Sequence, residues 1–188
     1  MTIFISGGAK NGKSDFAQEL AVFLAEGGIH YYVATMIPTD DEDHARVRKH
    51  LESRAGMGFE TIECGQSILS CLDQADRNGT FLLDSATALL MNELFPAEQG
   101  YRMDPEAPER CASELETFAR SIRHGVIVSD AIYADAARYD EITEAYRRGL
   151  AHIDRVLARA CDTVVEVTAD CPVIHKGTLP AGWKEREK

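Results

Sequence analysis

Residues 7–14 place two glycines, a lysine and a serine at the spacing Gly-x-x-x-x-Gly-Lys-Ser. The pattern follows the apolar run TIFIS (2–6) and precedes a helical pattern, the context that a phosphate-binding loop requires. Glycines let successive backbone N–H groups turn toward phosphate oxygens, and the start of a helix adds the positive end of its dipole. Lys13 would reach the β- and γ-phosphates, and the Ser14 hydroxyl would ligate Mg²⁺. The pattern predicts nucleotide contacts from Gly7, Gly8, Ala9, Lys10, Asn11, Gly12, Lys13 and Ser14.

An acidic residue is expected near such a loop, because the metal ion that accompanies the nucleotide needs to be held or oriented. Asp84 ends the apolar run GTFLLD (79–84), at the carboxyl end of a predicted buried strand. This position favours a role in binding Mg²⁺ or the nucleotide. Asp84 could also cap the helix predicted to begin at SATALL, and the two roles are compatible.

A second group of reactive side chains lies in the polar segment DDEDHARVRKHLESRA (40–55), which predicts a helix. Arg46, His50 and Arg54 are spaced four residues apart, so they share one stripe of that helix. A histidine between two arginines suits an anionic partner, and the arginines favour the neutral imidazole, whose nitrogen can attack phosphorus. On spacing alone, a solvated helix whose charges only confer solubility is the favoured alternative.

Composition limits the possible classes of protein. The chain has 188 residues and a net charge of −11, which predict a single domain over 1–188 and argue against nucleic-acid binding through a basic face. Five cysteines without a Cys-x-x-Cys pair, and no signal peptide, predict a reduced, cytoplasmic chain. No apolar stretch reaches the roughly 18 residues that a membrane span requires.

Apolar runs alternate with helical patterns along the chain. Strands are predicted at 2–6, 30–35, 59–64, 79–84, 125–130 and 162–169, and helices at 13–28, 40–55, 67–75, 85–95, 110–124 and 139–160. The charged tail 184–188 is predicted to fray. Together these patterns predict an α/β fold of the P-loop NTPase-like kind, with a mostly parallel sheet and helices on both faces.

Four segments resemble the bifunctional adenosylcobinamide kinase / adenosylcobinamide-phosphate guanylyltransferase family of cobalamin biosynthesis. ISGGAKNGKS, YYVAT, DDEDHARVRKHLESR and FLLDSATALLMNELF match its motifs in order and spacing. The resemblance implies that His50 is the guanylylated nucleophile and that 7–14 form the phosphate loop. It also implies that Arg46 supports the site and that further nucleotide contacts come from Ala34, Thr35, Met36, Leu51, Glu52, Ser53, Arg54, Glu63 and Asp84.

The resemblance implies two reactions in sequence. ATP or GTP would phosphorylate the hydroxyl of adenosylcobinamide, with Mg²⁺ held through the nucleotide by Ser14 and Asp84. His50 would then take GMP from GTP and pass it to adenosylcobinamide phosphate. A homotrimer is implied as well.

The segment 129–158 departs from the family pattern T-N-E-V-G-x-G-[IV]-V-P. Asp130 and Ala131 replace the Asn-Glu pair, Tyr133 and Asp135 replace the two glycines, and Arg138 replaces the proline. This departure is compatible with a remodelled acceptor pocket or with the loss of one of the two activities. Two other functions are also compatible with the sequence: a P-loop small-molecule kinase in which His50 is structural, and a nucleotide-binding regulator without activity.

Overall fold

A computed structural model describes residues 1–183. Its seven strands form one sheet in the order β3-β2-β4-β5-β1-β6-β7. The strands β1 to β6 are parallel, and β7 is antiparallel to β6. The sheet confirms the predicted, mostly parallel α/β architecture; the strand bounds are β1 Thr2–Gly7, β2 His30–Ala34, β3 Glu60–Glu63, β4 Thr80–Asp84, β5 His124–Asp130, β6 Thr163–Thr168 and β7 Cys171–Lys176.

The helices of the described residues connect the parallel strands and cover both faces of the sheet. Alternating residues of β1 separate two cores: Ile3 and Ile5 pack with α1, whereas Phe4 faces the core that α3, α4 and α5 build. Nearly all residues of β1, β4 and β5 are buried, as expected for a sheet with helices on both faces. The helix bounds are α1 Lys13–Ala25, α2 Asp41–Ser53, α3 Ala86–Leu94, α4 Ala107–Ser121 and α5 Glu141–Ala160.

Two predicted helix boundaries were wrong for local reasons, and one predicted helix is of a different type. The helix predicted to run to residue 28 ends at Ala25, because Glu26 adopts a left-handed conformation with φ of 49°. The helix α4 begins earlier than predicted, with Pro108 in its first turn, where a missing N–H costs no helical hydrogen bond. The segment predicted as a helix at 67–75 is a 3-10 helix over Ile68–Asp73.

The strand β7 was missed by the sequence prediction, which ended the sheet at residue 169. Its six residues include Pro172, and none of them is buried. An edge strand without a buried face has no alternating pattern to detect, and proline is compatible with such an edge. Its pairing with β6 becomes visible only in the folded chain.

The tail 184–188, predicted to fray, lies outside the described residues. Within 1–183, none of the helices combines the length with the apolar character that crossing a bilayer would demand.

Candidate active site

The phosphate loop, residues 7–14, leaves β1 at the carboxyl edge of the sheet and runs directly into α1. Gly12 caps this helix in a left-handed conformation with φ of 80°. A Cβ atom at Gly12 would lie 1.8 Å from Oδ1 of Asp170, so only glycine fits both the conformation and the space. The predicted strand–loop–helix arrangement is therefore present.

Lys13 is 6% exposed and points back across the loop. Its Nζ donates hydrogen bonds to the Gly8 carbonyl oxygen at 2.7 Å and to Oδ1 of Asp130 at 2.8 Å. The ammonium group is thus held at the mouth of the loop, where a phosphate oxygen could replace either partner. Asp130 was not among the predicted site residues. The sequence shows that it ends a predicted strand and replaces the Asn of the family pattern, but its distance from the loop depends on the order of the strands.

The turn between β6 and β7 borders the loop on its other side. Asp170 donates its backbone N–H to the Asn11 carbonyl oxygen at 3.2 Å, and Asn11 Nδ2 donates to the Val167 carbonyl oxygen at 3.5 Å. Ala169 and Asp170 both have positive φ, as a tight turn at this point requires. The loop therefore sits between the end of β5 and this hairpin.

His50 lies in the wall of a separate cavity of about 310 Å³, the His50 cavity, formed where α2 covers the ends of β2, β3 and β4. Seven residues predicted from the family resemblance line it together: Ala34, Met36, His50, Leu51, Arg54, Glu63 and Asp84. The side of α2 that faces the cavity carries Val47, His50, Leu51 and Arg54, at the i, i+3, i+4 and i+7 positions of one helical face.

Arg54, Tyr32 and Asp84 form a connected group in the cavity wall. The guanidinium carbon of Arg54 lies 3.9 Å from the centroid of the Tyr32 ring, and its Nη2 donates to Thr61 Oγ1 at 3.2 Å. The Tyr32 hydroxyl donates to Oδ2 of Asp84 at 2.8 Å. Burial, and after it the Asp84 carboxylate, raise the pKa of Tyr32 well above its usual value, so the phenol keeps its proton. The group presents a buried cation and an oriented carboxylate to one cavity.

The other predicted residues lie outside the lining of the His50 cavity. Thr35 is buried and exchanges hydrogen bonds with the backbone of Ser85. Glu52 and Ser53 are exposed on α2. Arg46 is also exposed and forms ion pairs with the two acids Glu42 and Asp43 on its own helix. The nucleotide contacts assigned to these residues stay predictions.

The two parts of the site lie at the same edge of the sheet. Only β5 separates β1, which carries the loop, from β4, which carries Asp84. Two inter-strand spacings correspond to about 10 Å, a distance that an extended triphosphate and its sugar can span. A single nucleotide could therefore touch both parts.

The divergent segment after β5 is held by Arg147, which is 7% exposed. Its guanidinium donates to Asp135 Oδ1 at 2.7 Å, to Glu144 Oε1 at 2.6 Å and to the Ile132 carbonyl oxygen at 3.3 Å. The segment helps to line a second, mainly apolar cavity of about 420 Å³; its lining is Met91, Phe95, Ile132, Tyr139, Ile142, Thr143, Tyr146 and Arg147.

Residues 1–183 hold no cluster of three or more acidic, histidine or cysteine side chains that could bind a metal by themselves. A magnesium ion bound through nucleotide phosphates needs only one or two protein oxygens. Ser14, in the first turn of α1, and the carboxylate of Asp84 are oxygen donors at the edge where the phosphates would lie. The donor chemistry therefore fits this ion.

Comparison with known proteins concerns the chain as a whole rather than its site. A sequence model described as cobinamide kinase / cobinamide phosphate guanyltransferase matches residues 3–174. The bifunctional adenosylcobalamin biosynthesis protein CobP of Pseudomonas aeruginosa is 27% identical over 180 residues, covering 94% of this chain and 98% of that protein. The protein of the same description from Salmonella typhimurium, CobU, is 27% identical over 176 residues, covering 87% and 93%.

Solved structures share the fold at low sequence identity. A solved ATPase domain superposes with a TM-score of 0.50 and 12% identity, over 88% of this chain and 68% of that one. A protein from Pyrococcus horikoshii OT3 superposes with a TM-score of 0.51 and 10% identity, over 94% and 86%. At this identity the likeness concerns the fold alone, and it confirms the predicted P-loop NTPase-like architecture.

Proposed function

This chain belongs to the cobinamide kinase / cobinamide phosphate guanyltransferase family, and we propose that it catalyses both reactions that this name describes. In the first, ATP or GTP phosphorylates adenosylcobinamide. In the second, GMP passes from GTP to adenosylcobinamide phosphate by way of a guanylylated His50. The observation that carries the proposal is the position of His50, which shares one cavity with Arg54 and Asp84 at the sheet edge that bears the phosphate loop.

In the phosphorylation step, the loop binds the phosphates of the donor nucleotide. Backbone N–H groups of residues 7–14 and the ammonium of Lys13 offset the negative charge that spreads over the transferred group. Ser14 and Asp84 would hold Mg²⁺ through the nucleotide, and the ion would supply further charge stabilisation when bound. Lys13 leaves Asp130 for a phosphate oxygen when the nucleotide binds.

In the guanylyl transfer, an imidazole nitrogen of His50 attacks the α-phosphorus of GTP. The bond from the α-phosphorus to the bridging oxygen breaks, and pyrophosphate leaves with the electron pair. The phosphate of adenosylcobinamide phosphate then attacks the same phosphorus and releases His50. Arg54 lies in the same cavity wall, and its charge would neutralise the α-phosphate during both displacements.

The test is incubation with α-labelled GTP, followed by denaturation. We expect a covalent label that is stable to alkali and lost in mild acid, as a phosphoramidate is. The label should disappear in His50→Ala and persist in His44→Ala, since His44 lies on the same helix, is exposed and is absent from the cavity lining. Equal labelling of both variants, or none in the wild type, would contradict the guanylyl-transfer proposal.

A P-loop small-molecule kinase is the second candidate function, and the divergent segment favours it. Tyr133 and Asp135 add side chains where the family pattern has glycines, and Arg147 holds that segment beside the second cavity. This candidate predicts phosphorylation of an acceptor without covalent labelling by GTP.

The homotrimer and the cytoplasmic location are proposals as well, to be tested by sedimentation and by cell fractionation.

A further inference from the structure

Asp130 is the acid that contacts the lysine of the phosphate loop. Its Oδ1 lies 2.8 Å from Lys13 Nζ, and its side chain is 31% exposed, so solvent or a substrate can reach it. Asp84, which the sequence analysis linked to the loop, instead accepts a hydrogen bond from Tyr32 and lines the His50 cavity. The two acids therefore stand at two different parts of the site.

The backbone around Asp130 is fixed on both sides. Its N–H donates to Thr87 Oγ1 at 2.8 Å, and the next residue, Ala131, donates to the Gly7 carbonyl oxygen at 3.0 Å. Asp130 also pairs in register with Gly7, the first residue of the loop. Because the strand end is held at the loop itself, its carboxylate stays at the loop mouth after Lys13 turns to a phosphate.

Charged and polar groups from α1 and α5 face Asp130. Lys13, at the start of α1, is its direct partner. Asp154 and Tyr146, both on α5, lie within electrostatic reach of it. The Tyr146 hydroxyl donates a hydrogen bond to the Thr87 carbonyl oxygen, so it does not compete for the carboxylate.

We propose that Asp130 is the proton acceptor of the phosphorylation step, an inference that rests on the proposed kinase function. The acceptor hydroxyl oxygen attacks the γ-phosphorus, and its proton passes to Asp130 and then to water. The bond between the γ-phosphorus and the bridging oxygen breaks, and the nucleoside diphosphate leaves with the electron pair. The family pattern has Asn-Glu where this chain has Asp130-Ala131, so the assignment is specific to this chain.

The experiment measures two activities on the same variants: phosphorylation of adenosylcobinamide by ATP, and labelling of His50 by α-labelled GTP. Asp130→Asn keeps the shape of the side chain, and Asp130→Glu keeps the carboxylate. Asp73→Asn, at an exposed aspartate far along the chain from the loop, is the matched charge control. Thermal unfolding of each variant checks that the fold is retained.

For Asp130→Asn we expect kcat of phosphorylation to fall on the order of 10²-fold, the usual contribution of a positioned base. KM for ATP should stay equal or fall, because Lys13 is released, and labelling of His50 should stay within threefold of wild type. The kcat of Asp130→Glu should be at least tenfold higher than that of Asp130→Asn. Asp73→Asn should match wild type in both activities.

Two results would overturn the assignment of Asp130. One is a kcat of Asp130→Asn within threefold of wild type, which reduces Asp130 to a restraint on Lys13. The other is an equal loss in the Asn and Glu variants, which reduces it to a structural residue. A wild-type chain that phosphorylates no adenosylcobinamide would instead refute the proposed kinase function, and this inference would fall with it.

Discussion

At the scale of single residues, the partners of a charged group decide what it can do. Lys13 is almost fully buried and is satisfied by one carbonyl oxygen and one carboxylate. Both partners are weaker than a triphosphate that also receives the backbone N–H groups of the loop. The lysine is therefore held at the mouth of the loop, the position that the proposed phosphorylation requires.

Replacing Lys13 by alanine tests this role. We expect Lys13→Ala to lower kcat/KM for phosphorylation on the order of 10²- to 10³-fold, the loss seen when one preorganised donor is removed. Steady-state rates with ATP measure the effect, and circular dichroism checks the fold. Lys49→Ala, at an exposed lysine of α2, is the control. An unaltered rate in Lys13→Ala would remove Lys13 from the assigned chemistry.

Asp154 is a buried acid whose ionisation lowers the stability of the fold as the pH rises. It is 4% exposed, and its Oδ2 accepts a hydrogen bond from Tyr133 at 2.7 Å. Burial raises the pKa of Asp154 to about 6, against a smaller opposing effect of the Ser129 and Tyr133 hydroxyls. Since an unfolded aspartate titrates near pH 4, the fold disfavours the ionised form. The resulting loss in the free energy of unfolding is absent below about pH 4, grows between about pH 4 and 6, and reaches its full size above about pH 6.

Asp154→Asn removes this penalty while keeping an oxygen that can accept from Tyr133. We expect the variant to gain about 1–3 kcal/mol in the free energy of unfolding at pH 7.5, and about half of that at pH 5. Urea denaturation at both pH values measures the difference. Asp73→Asn should show no such pH-dependent gain, and the same gain in both variants would refute the explanation by burial.

At the scale of elements, α2 is the least buried helix of the site. None of its own residues is buried, and Arg54, which caps its end, is the buried side chain that joins it to β2 and β3. Asp40 caps the start of the helix by accepting the N–H of Asp43 at 2.8 Å. The helix therefore forms from local signals, but a single end anchors it over the cavity.

Substitution of Arg54 probes this anchor and its charge together. We expect Arg54→Ala to slow the labelling of His50 at least tenfold, because the cation beside the α-phosphate is lost and α2 is held less firmly. Arg54→Lys should be intermediate, since lysine keeps the charge but cannot stack on Tyr32 as a planar group. The time course of labelling gives both rates. Arg48→Ala, exposed on the same helix, should leave them unchanged.

At the scale of the whole molecule, the last described residue packs against the helix that follows the phosphate loop. The ring centroid of Trp183 lies 6.0 Å from that of Phe16 and 5.2 Å from that of Phe23, in edge-to-face geometry. Trp183 is thereby attached to α1, on the face of the sheet opposite α3, α4 and α5. Edge-to-face contacts between aromatic rings stabilise the fold beyond the contribution of the buried apolar area.

Trp183→Ala should therefore destabilise the fold. We expect a loss of about 1–3 kcal/mol in the free energy of unfolding, less than for a fully buried tryptophan because Trp183 is half-buried. Urea denaturation followed by circular dichroism measures it, since the variant lacks the only tryptophan of the chain. Met103→Ala, at an exposed apolar side chain, is the control. Equal stability of the two variants would contradict the anchoring role.

Much of this protein could be predicted from local sequence. The phosphate loop carries its own signals, since glycines, Lys13, Ser14, an apolar strand and a helix follow one another without interruption. The alternation of apolar runs and helical patterns is sufficient to predict a mostly parallel sheet. The family resemblance led to His50 and to six other residues that line its cavity, because their spacing on α2 and at strand ends is set by short-range geometry.

The order of the strands was decided only by the tertiary structure. Since β5 lies between β1 and β4, Asp130 meets Lys13 while Asp84 turns to Tyr32 and the His50 cavity. The edge strand β7 and the contact of Asp170 with the loop likewise exist only through pairing across the sheet. Pairing of this kind depends on packing between residues distant in the chain, for which neither propensity nor periodicity carries a local signal.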